Sequence, residues 1–94
     1  TFSTPETRID VEESKKFIII DEVKERLKKE DKKIIDIDGV RVEDEDGWFL
    51  MRASNTQNQL TCRAESITKN GLRKLISIIE DQLSLSGVTY KFTI

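Results

Sequence analysis

The sequence predicts an α+β fold, a two-layer sandwich in which a small, mainly antiparallel sheet carries two helices on one face. Apolar residues recur at three- and four-residue steps near residues 14–31 and 68–86, which is typical of amphipathic helices. Between and around these segments, polar and apolar residues alternate as they do in half-buried strands. Two helices cannot cover both faces of a sheet in 94 residues. One domain, residues 1–94, with both helices on the same face is therefore expected.

The N-terminal third is predicted to form a strand and then a helix. Residues 7–11 alternate polar and apolar side chains, and Pro5 precedes them. Ser14 is the expected N-cap of the helix, because its hydroxyl can accept a hydrogen bond from a free backbone N–H. The helix is expected to bury a stripe made of Phe17, Ile20, Val23 and Leu27.

The remaining elements are predicted as three strands, a helix and a last strand. The first strand begins at Ile34, Ile35 and Ile37, is interrupted at Gly39 and continues through 40–43. It is joined to the strand at 48–51 through Asp46-Gly47, a pair typical of tight hairpins. Residues 60–65 form the next strand. A helix from Thr68 to Ser86, ended by Gly87, presents the stripe Leu72, Leu75, Ile76, Ile79 and Leu83. Alternation in residues 88–94 predicts an edge strand.

Composition excludes several classes of function. Hydrophobic and charged residues each make up 36% of the chain, and the net charge is −2, which disfavours a generic nucleic-acid binder. The longest apolar run has four residues, far below the roughly 20 that span a bilayer. The single Cys62 cannot form an internal disulfide, so a cytoplasmic location is expected. The chain begins with Thr1, which fits a piece of a longer protein or a processed one.

The polar loop, defined here as residues 52–58, is the most informative segment for function. It contains one guanidinium, two hydroxyls and three carboxamides, with no glycine or proline. Arg52 offers a planar fork that matches two phosphate oxygens, and Ser54 and Thr56 offer hydroxyl donors. Asn55 tolerates the left-handed backbone that an anion-binding nest requires. Two interpretations are open from these residues: a phosphate site, or a turn whose side chains cap its own backbone.

Residues 47–56, Gly-Trp-Phe-Leu-Met-Arg-Ala-Ser-Asn-Thr, together with residues 60–65, Leu-Thr-Cys-Arg-Ala-Glu, resemble the phosphate-binding motif of the α-D-phosphohexomutases. This family includes phosphomannomutases and phosphoglucomutases, and its fourth, C-terminal domain carries the motif. The preceding Asp38-Gly39-Val40 is similar to the strand that leads into the family's hairpin. The resemblance covers residues 35–80 and implies a fold like that of TATA-box-binding proteins.

The resemblance implies that Arg52, Ser54, Asn55 and Thr56 hold the phosphate that is not being transferred. Arg63 has two interpretations: it borders this site, or it forms a cross-strand salt bridge. The motif departs from the family at Gln57-Asn58, where an acidic residue or threonine followed by proline is usual. Because proline fixes φ, this change puts the rigidity of the loop in doubt.

The implied function is to bind substrate in a phosphosugar mutase whose phosphoserine and Mg²⁺ loop belong to other domains. The isolated chain is expected to be monomeric and inactive, to hold no cofactor or metal, and to have a phosphosugar and the enzyme's other three domains as partners. Contact with a membrane or nucleic acid is not expected. The alternative is a free-standing protein-interaction or anion-binding module without a catalytic role.

Other features that suggest chemistry have simpler explanations. Asp36 and Asp38 alternate with isoleucines, so they are expected on the outer face of a strand rather than around a metal ion. The acidic residues 43–46 form a turn tip that favours solubility, since no calcium-loop pattern follows. Cys62 lies in an apolar strand and is expected to be buried and unreactive.

Overall fold

The computed structural model describes residues 1–30, 32–35 and 39–93, and these residues form one antiparallel sheet and two helices. The predicted α+β class is confirmed. The strands are β1 Phe2–Ser3, β2 Thr7–Asp10, β3 Lys33–Ile35, β4 Val40–Asp44, β5 Gly47–Ala53 and β6 Gln59–Ser66, and the helices are α1 Lys16–Lys29 and α2 Lys69–Leu85. The sheet order is β1-β6-β5-β4-β3, and β2 also pairs with β6. The predictions for Asp36, Ile37 and Asp38 lie outside the described residues.

The pairing register separates the sheet into two faces. Val42, Phe49 and Ala64 lie opposite one another on β4, β5 and β6 and are fully buried. Both helices pack on this inner face, with α1 against β3, β4 and β5 and α2 against β1, β5 and β6. The outer face carries the alternate residues, including Arg41, Trp48 and Arg52, which are only partly buried. The Arg41 and Arg52 side chains thus lie on the face of the sheet that neither helix covers.

The N-cap position of helix α1 is Lys15, one residue later than the predicted Ser14. A turn in which the Lys15 N–H donates to the Glu12 carbonyl, at 3.0 Å, leads into Lys16, so Ser14 is not the cap. The buried residues of α1 are Lys16, Ile19, Ile20, Val23 and Leu27, so the predicted stripe is right at Ile20, Val23 and Leu27. Phe17 was predicted to be buried but is 53% exposed, because it lies about 100° around the helix from Lys16.

Helix α2 matches its prediction closely. The hydroxyl of Thr68 accepts a hydrogen bond from the Gly71 N–H at 2.9 Å and caps the first turn. All five residues of the predicted stripe are buried. Ser86 is the C-cap and Gly87 follows with φ of 86°, which ends the helix in the left-handed conformation. Neither helix in the described part of the chain is long and apolar enough to cross a membrane.

The hairpin between β4 and β5 forms where Asp46-Gly47 predicted it. The Asp44 carboxylate accepts hydrogen bonds from the N–H groups of Asp46 and Gly47 at 2.8 and 3.2 Å. Gly47 has φ of 146°, and a Cβ there would collide with the backbone carbonyl of Glu65 on β6. The glycine therefore permits both the turn and the close approach of a third strand.

The expected edge strand at residues 88–94 is wrong for residues 88–93, which form no strand. Val88, Tyr90 and Phe92 do alternate inward and pack against the core, which accounts for the pattern. The Phe92 N–H donates to the Glu80 carboxylate at 2.8 Å instead of to a strand. The edge of β6 that faces away from β5 is already paired with β1 and β2, so it offers no place for a further strand. The sequence did not predict β1.

Candidate functional site

The polar loop connects β5 to β6 and is closed by its own hydrogen bonds. The Ser54 N–H donates to the Gln59 carbonyl at 3.0 Å, and the Ser54 hydroxyl accepts from the Gln57 N–H at 3.1 Å. The second bond is the self-capping turn that the sequence left open as an alternative. It does not exclude ligand binding, because a hydroxyl that accepts one bond still has a proton to donate.

Two carbonyl groups anchor the loop to the elements before it. The buried Lys16, at the start of α1 and 6% exposed, donates from Nζ to the Gln57 carbonyl at 3.0 Å. The Val11 N–H donates to the Asn58 carbonyl at 3.0 Å. Sequence reasoning questioned the rigidity of Gln57-Asn58 and missed both contacts. The sequence did contain a signal that Lys16 is buried, because its spacing from Ile20 and Val23 places it on the same helix face as the apolar stripe of α1.

A polar cavity of about 510 Å³ lies on the outer face beside the loop. Three of the five predicted binding residues line this cavity: Arg52, Ser54 and Thr56. Its remaining lining is also polar or charged and consists of Glu6, Arg8, Gln57, Gln59 and Thr61. Guanidinium and hydroxyl donors converging on one open cavity are what a tetrahedral anion requires.

Gly39 brings the end of β5 into place. Its φ is 115°, and a Cβ at this position would stand 2.7 Å from Cβ of Arg52. Only a glycine allows the chain entering β4 to pass so close to the arginine. Arg52 itself is half-buried at the end of the hydrogen-bonded part of β5, so its backbone is fixed by the neighbouring strands.

Two predicted residues lie apart from the cavity lining. Asn55 is exposed at the tip of the loop. Arg63 is exposed on the outer face of β6, with Cζ 5.9 Å from the centre of the Trp48 ring, and Arg41 approaches the same ring at 4.3 Å. In the described part of the chain, Arg63 forms no ion pair, so the cross-strand salt bridge, one of its two interpretations, is not seen there. The structure brings together Arg52, Ser54 and Thr56 but not these two.

A second cavity, of about 520 Å³, lies between the β2–α1 connection and the end of α2. Its charged lining consists of the carboxylates of Asp10 and Glu12 and the single ammonium group of Lys15, so its net charge disfavours an anion, and its apolar lining includes Val11, Ile19 and Val88. The arrangement of arginine and hydroxyl donors is found at the polar cavity. We therefore take the polar cavity as the candidate site.

Cys62 and the carboxylates provide no reactive centre in the described residues. Cys62 is fully buried on the inner face, and burial raises the pKa of its thiol from 9.0 to about 12, as expected of an unreactive cysteine. Within the residues described, no group of three or more Cys, Asp or Glu side chains is placed to hold a metal ion. The chain contains no histidine. What the site can do chemically is bind an anion.

The fold and the cavity together define a class: an α+β sandwich domain that presents a polar hairpin loop beside an open, polar cavity. The family model of the phosphoglucomutase/phosphomannomutase C-terminal domain matches residues 6–82. A phosphomannomutase/phosphoglucomutase of Pseudomonas aeruginosa is 40% identical over 81 residues, covering 86% of this chain. A phosphoglucomutase of Neisseria meningitidis is 42% identical over 77 residues, covering 80% of this chain. The chain belongs to the phosphoglucomutase/phosphomannomutase C-terminal domain family, and the predicted resemblance to this family is confirmed.

A solved structure agrees with this assignment. A phosphoglucomutase/phosphomannomutase family protein from Burkholderia thailandensis superimposes with a TM-score of 0.80 and 28% sequence identity over 97% of this chain. The chain spans only 18% of the P. aeruginosa relative, 17% of the N. meningitidis relative and 19% of the B. thailandensis chain.

Proposed function

We propose that this chain binds the phosphate of a phosphosugar, as the C-terminal domain of an enzyme that moves a phosphoryl group within hexose phosphates. The observation that supports the proposal best is the polar cavity, where Arg52, Ser54 and Thr56 converge. Asn55 and Arg63 belong to the proposed set, although they lie outside the cavity lining. Asn55 can join through loop movement at the tip, and Arg63 through its position two residues from Thr61 on the same face of β6.

The bound phosphate is proposed to be the one that does not react. Holding it orients the distant hydroxyl, so binding energy remote from the reaction is used to position the reacting atoms. A site that recognises phosphate through a guanidinium fork and hydroxyls accepts either end of a hexose bisphosphate. The same loop can therefore serve both half-reactions of a mutase.

Phosphoryl transfer is assigned to a phosphoserine outside these 94 residues, together with Mg²⁺. The donors around the polar cavity, mainly cationic and hydroxyl groups with the single carboxylate of Glu6, do not fit a metal ion. No step in this domain is therefore assigned to a metal. The chain alone is expected to show no turnover of glucose 1-phosphate or mannose 1-phosphate, and the whole enzyme is proposed to be cytoplasmic.

Titration of the ¹⁵N-labelled chain with inorganic phosphate and with glucose 1-phosphate tests the proposal. Amide signals of Ser54, Asn55 and Thr56 should move first, with a dissociation constant of about 1 mM or weaker because the site is open to water. Arg52→Ala should abolish these shifts, and Arg52→Lys should restore them only in part, since a point charge lacks the fork. Arg73→Ala, on an exposed position of α2, is the charge-matched control.

Two results would count against the proposal. If the largest shifts map to the lysines at 28–33, the anion is sampling surface charge and the site assignment is wrong. If no amide moves at phosphate concentrations well above about 10 mM, which corresponds to binding weaker than about −3 kcal/mol, the free-standing interaction module becomes the better explanation of the fold.

A further inference from the structure

Strand β2 brings a second arginine to the polar cavity. Arg8 lies directly opposite Thr61 in the β2–β6 pairing, and Thr61 lies directly opposite Arg52 in the β5–β6 pairing. Residues directly opposite each other in an antiparallel pair point to the same face. Arg8, Thr61 and Arg52 therefore form a row across three strands on the outer face, and all three line the cavity.

The spacing of this row suits one tetrahedral anion. Adjacent strands are separated by roughly 5 Å, which puts the Cα atoms of Arg8 and Arg52 roughly 10 Å apart with Thr61 between them. Two arginine side chains can span such a gap from either side and meet above the threonine hydroxyl. Each guanidinium can then take two oxygens of the same phosphate group, as arginine does with phosphates generally.

Glu6 is an ion-pair partner of Arg8 at the rim of the cavity. An Arg8 guanidinium nitrogen lies 3.5 Å from Oε2 of Glu6, and the two side chains are 66% and 48% exposed. An ion pair this long and this open to solvent is weak, so a dianion in the cavity can displace the carboxylate. Glu6 also lines the cavity, and its charge repels any anion that enters.

We propose that Arg8 is a second phosphate-binding guanidinium of this site and that Glu6 competes with the ligand for it. The inference rests on the proposed function and adds the ligand class, a dianionic phosphate monoester. A dianion interacts strongly with both guanidiniums and can displace the Glu6 carboxylate. A sulfate monoester carries a single charge, so its electrostatic interaction with each guanidinium is weaker. The pairing of β2 with β6, and not the loop motif, supplies this selectivity.

The experiment measures the dissociation constant of methyl phosphate for the full chain by ¹⁵N chemical shifts at about pH 8, where a phosphate monoester is dianionic. Arg8→Gln should weaken binding about 10-fold, because it removes one charge-assisted contact. Glu6→Gln should tighten binding about 2- to 3-fold, since the competing carboxylate is weakly held. Arg73→Gln, which makes the same charge change on the helical side of the sheet, should alter it less than about 2-fold. Methyl sulfate should bind the unsubstituted chain more weakly than methyl phosphate does. Its dissociation constants for Arg8→Gln and Arg73→Gln should be similar.

The outcomes separate the two proposals. If the unsubstituted chain binds methyl phosphate and Arg52→Ala abolishes binding while Arg8→Gln behaves like Arg73→Gln, only the role of Arg8 is overturned. If the unsubstituted chain shows no shift at Ser54 or Thr56, the proposed function fails and the inference fails with it. Arg8 is exposed on a strand at the edge of the sheet, and the spectrum of Arg8→Gln reports directly whether the fold is intact.

Discussion

Replacing Lys16 with methionine tests how far the shape of the polar loop depends on one buried ammonium group. Methionine keeps most of the apolar stem of lysine, so the packing at the start of α1 changes little. It removes the 3.0 Å hydrogen bond from Nζ to the carbonyl of Gln57, together with the contact between the ammonium and the exposed Phe17 ring, whose centre is 5.3 Å away. The Asn58 carbonyl keeps its bond from Val11, so the loop loses one of its two anchors.

The expected effect on binding is comparable in size to the effect on stability, because a 10-fold change in affinity corresponds to about 1.4 kcal/mol. A hydrogen bond from a charged group contributes about 1.5–3 kcal/mol, but removing the ammonium also removes the cost of burying it, so the free energy of unfolding should fall by less than about 1.5 kcal/mol. Ordering a freed residue when ligand binds costs on the order of 1–2 kcal/mol. Phosphate binding should therefore weaken about 10-fold.

Three measurements check this reasoning: urea unfolding for stability, amide hydrogen exchange at Gln57 and Asn58 for loop order, and phosphate titration for affinity. Lys15→Met is the matched control, because Lys15 is the exposed neighbour and its removal changes the net charge equally. Lys16→Arg should recover part of the loss. If Lys15→Met weakens binding as much as Lys16→Met does, the effect is one of net charge, and the anchoring role of Lys16 is refuted.

Three further predictions concern the core and the backbone. Leu75→Ala should lower the free energy of unfolding by about 3–5 kcal/mol, since Leu75 is fully buried, whereas Leu85→Ala, at a side chain 66% exposed, should change it by less than about 0.5 kcal/mol in urea unfolding. Gly39→Ala should cost about 2 kcal/mol or more and shift the Arg52 amide signal, because the new methyl group meets β5 at a left-handed φ; an unchanged Arg52 signal would contradict this. The Cys62 thiol has its pKa raised from 9.0 to about 12, so the unfolded chain releases this proton first and stability falls as pH rises above 9. Between neutral pH and about pH 10.5, the free energy of unfolding of the unsubstituted chain should fall by about 2 kcal/mol more than that of Cys62→Ala. Equal decreases in the two chains would refute the assignment.

Local patterns in the sequence predicted the parts of the fold that local physics determines. The stripe of α2, its start after Thr68 and the Asp46-Gly47 hairpin each depend on residues a few positions apart, and all three are present. The same reasoning failed for residues 88–93, because alternation reports burial on one side and not the presence of a pairing partner. Phe17 was misplaced because the stripe of α1 was counted from the wrong first residue.

The candidate site was predictable only in the part that the loop motif carries. Arg52, Ser54 and Thr56 are close in sequence, and their residue types by themselves suggest a phosphate ligand. Arg8 and Lys16 are 44 and 36 residues from Arg52 in the numbering, and they reach the loop through strand pairing and helix packing. The strands β2 and β6 are far apart in the chain, and the sequence of neither strand alone predicts their pairing register.

The two faces of the sheet have different proposed roles, stability for the inner face and ligand binding for the outer face, and each role can be tested separately. The inner face carries the core and the Lys16 anchor, while the outer face carries Arg8, Thr61 and Arg52. Because side chains on a strand alternate between faces, a substitution on the outer face leaves the packed helices untouched. Loss of binding in outer-face variants should then occur without loss of stability, and Lys16→Met should couple the two through the loop. A fall in stability in Arg8→Gln equal to its loss of binding would mean that the faces are not independent, and that the arginine supports the β2–β6 pairing rather than the ligand.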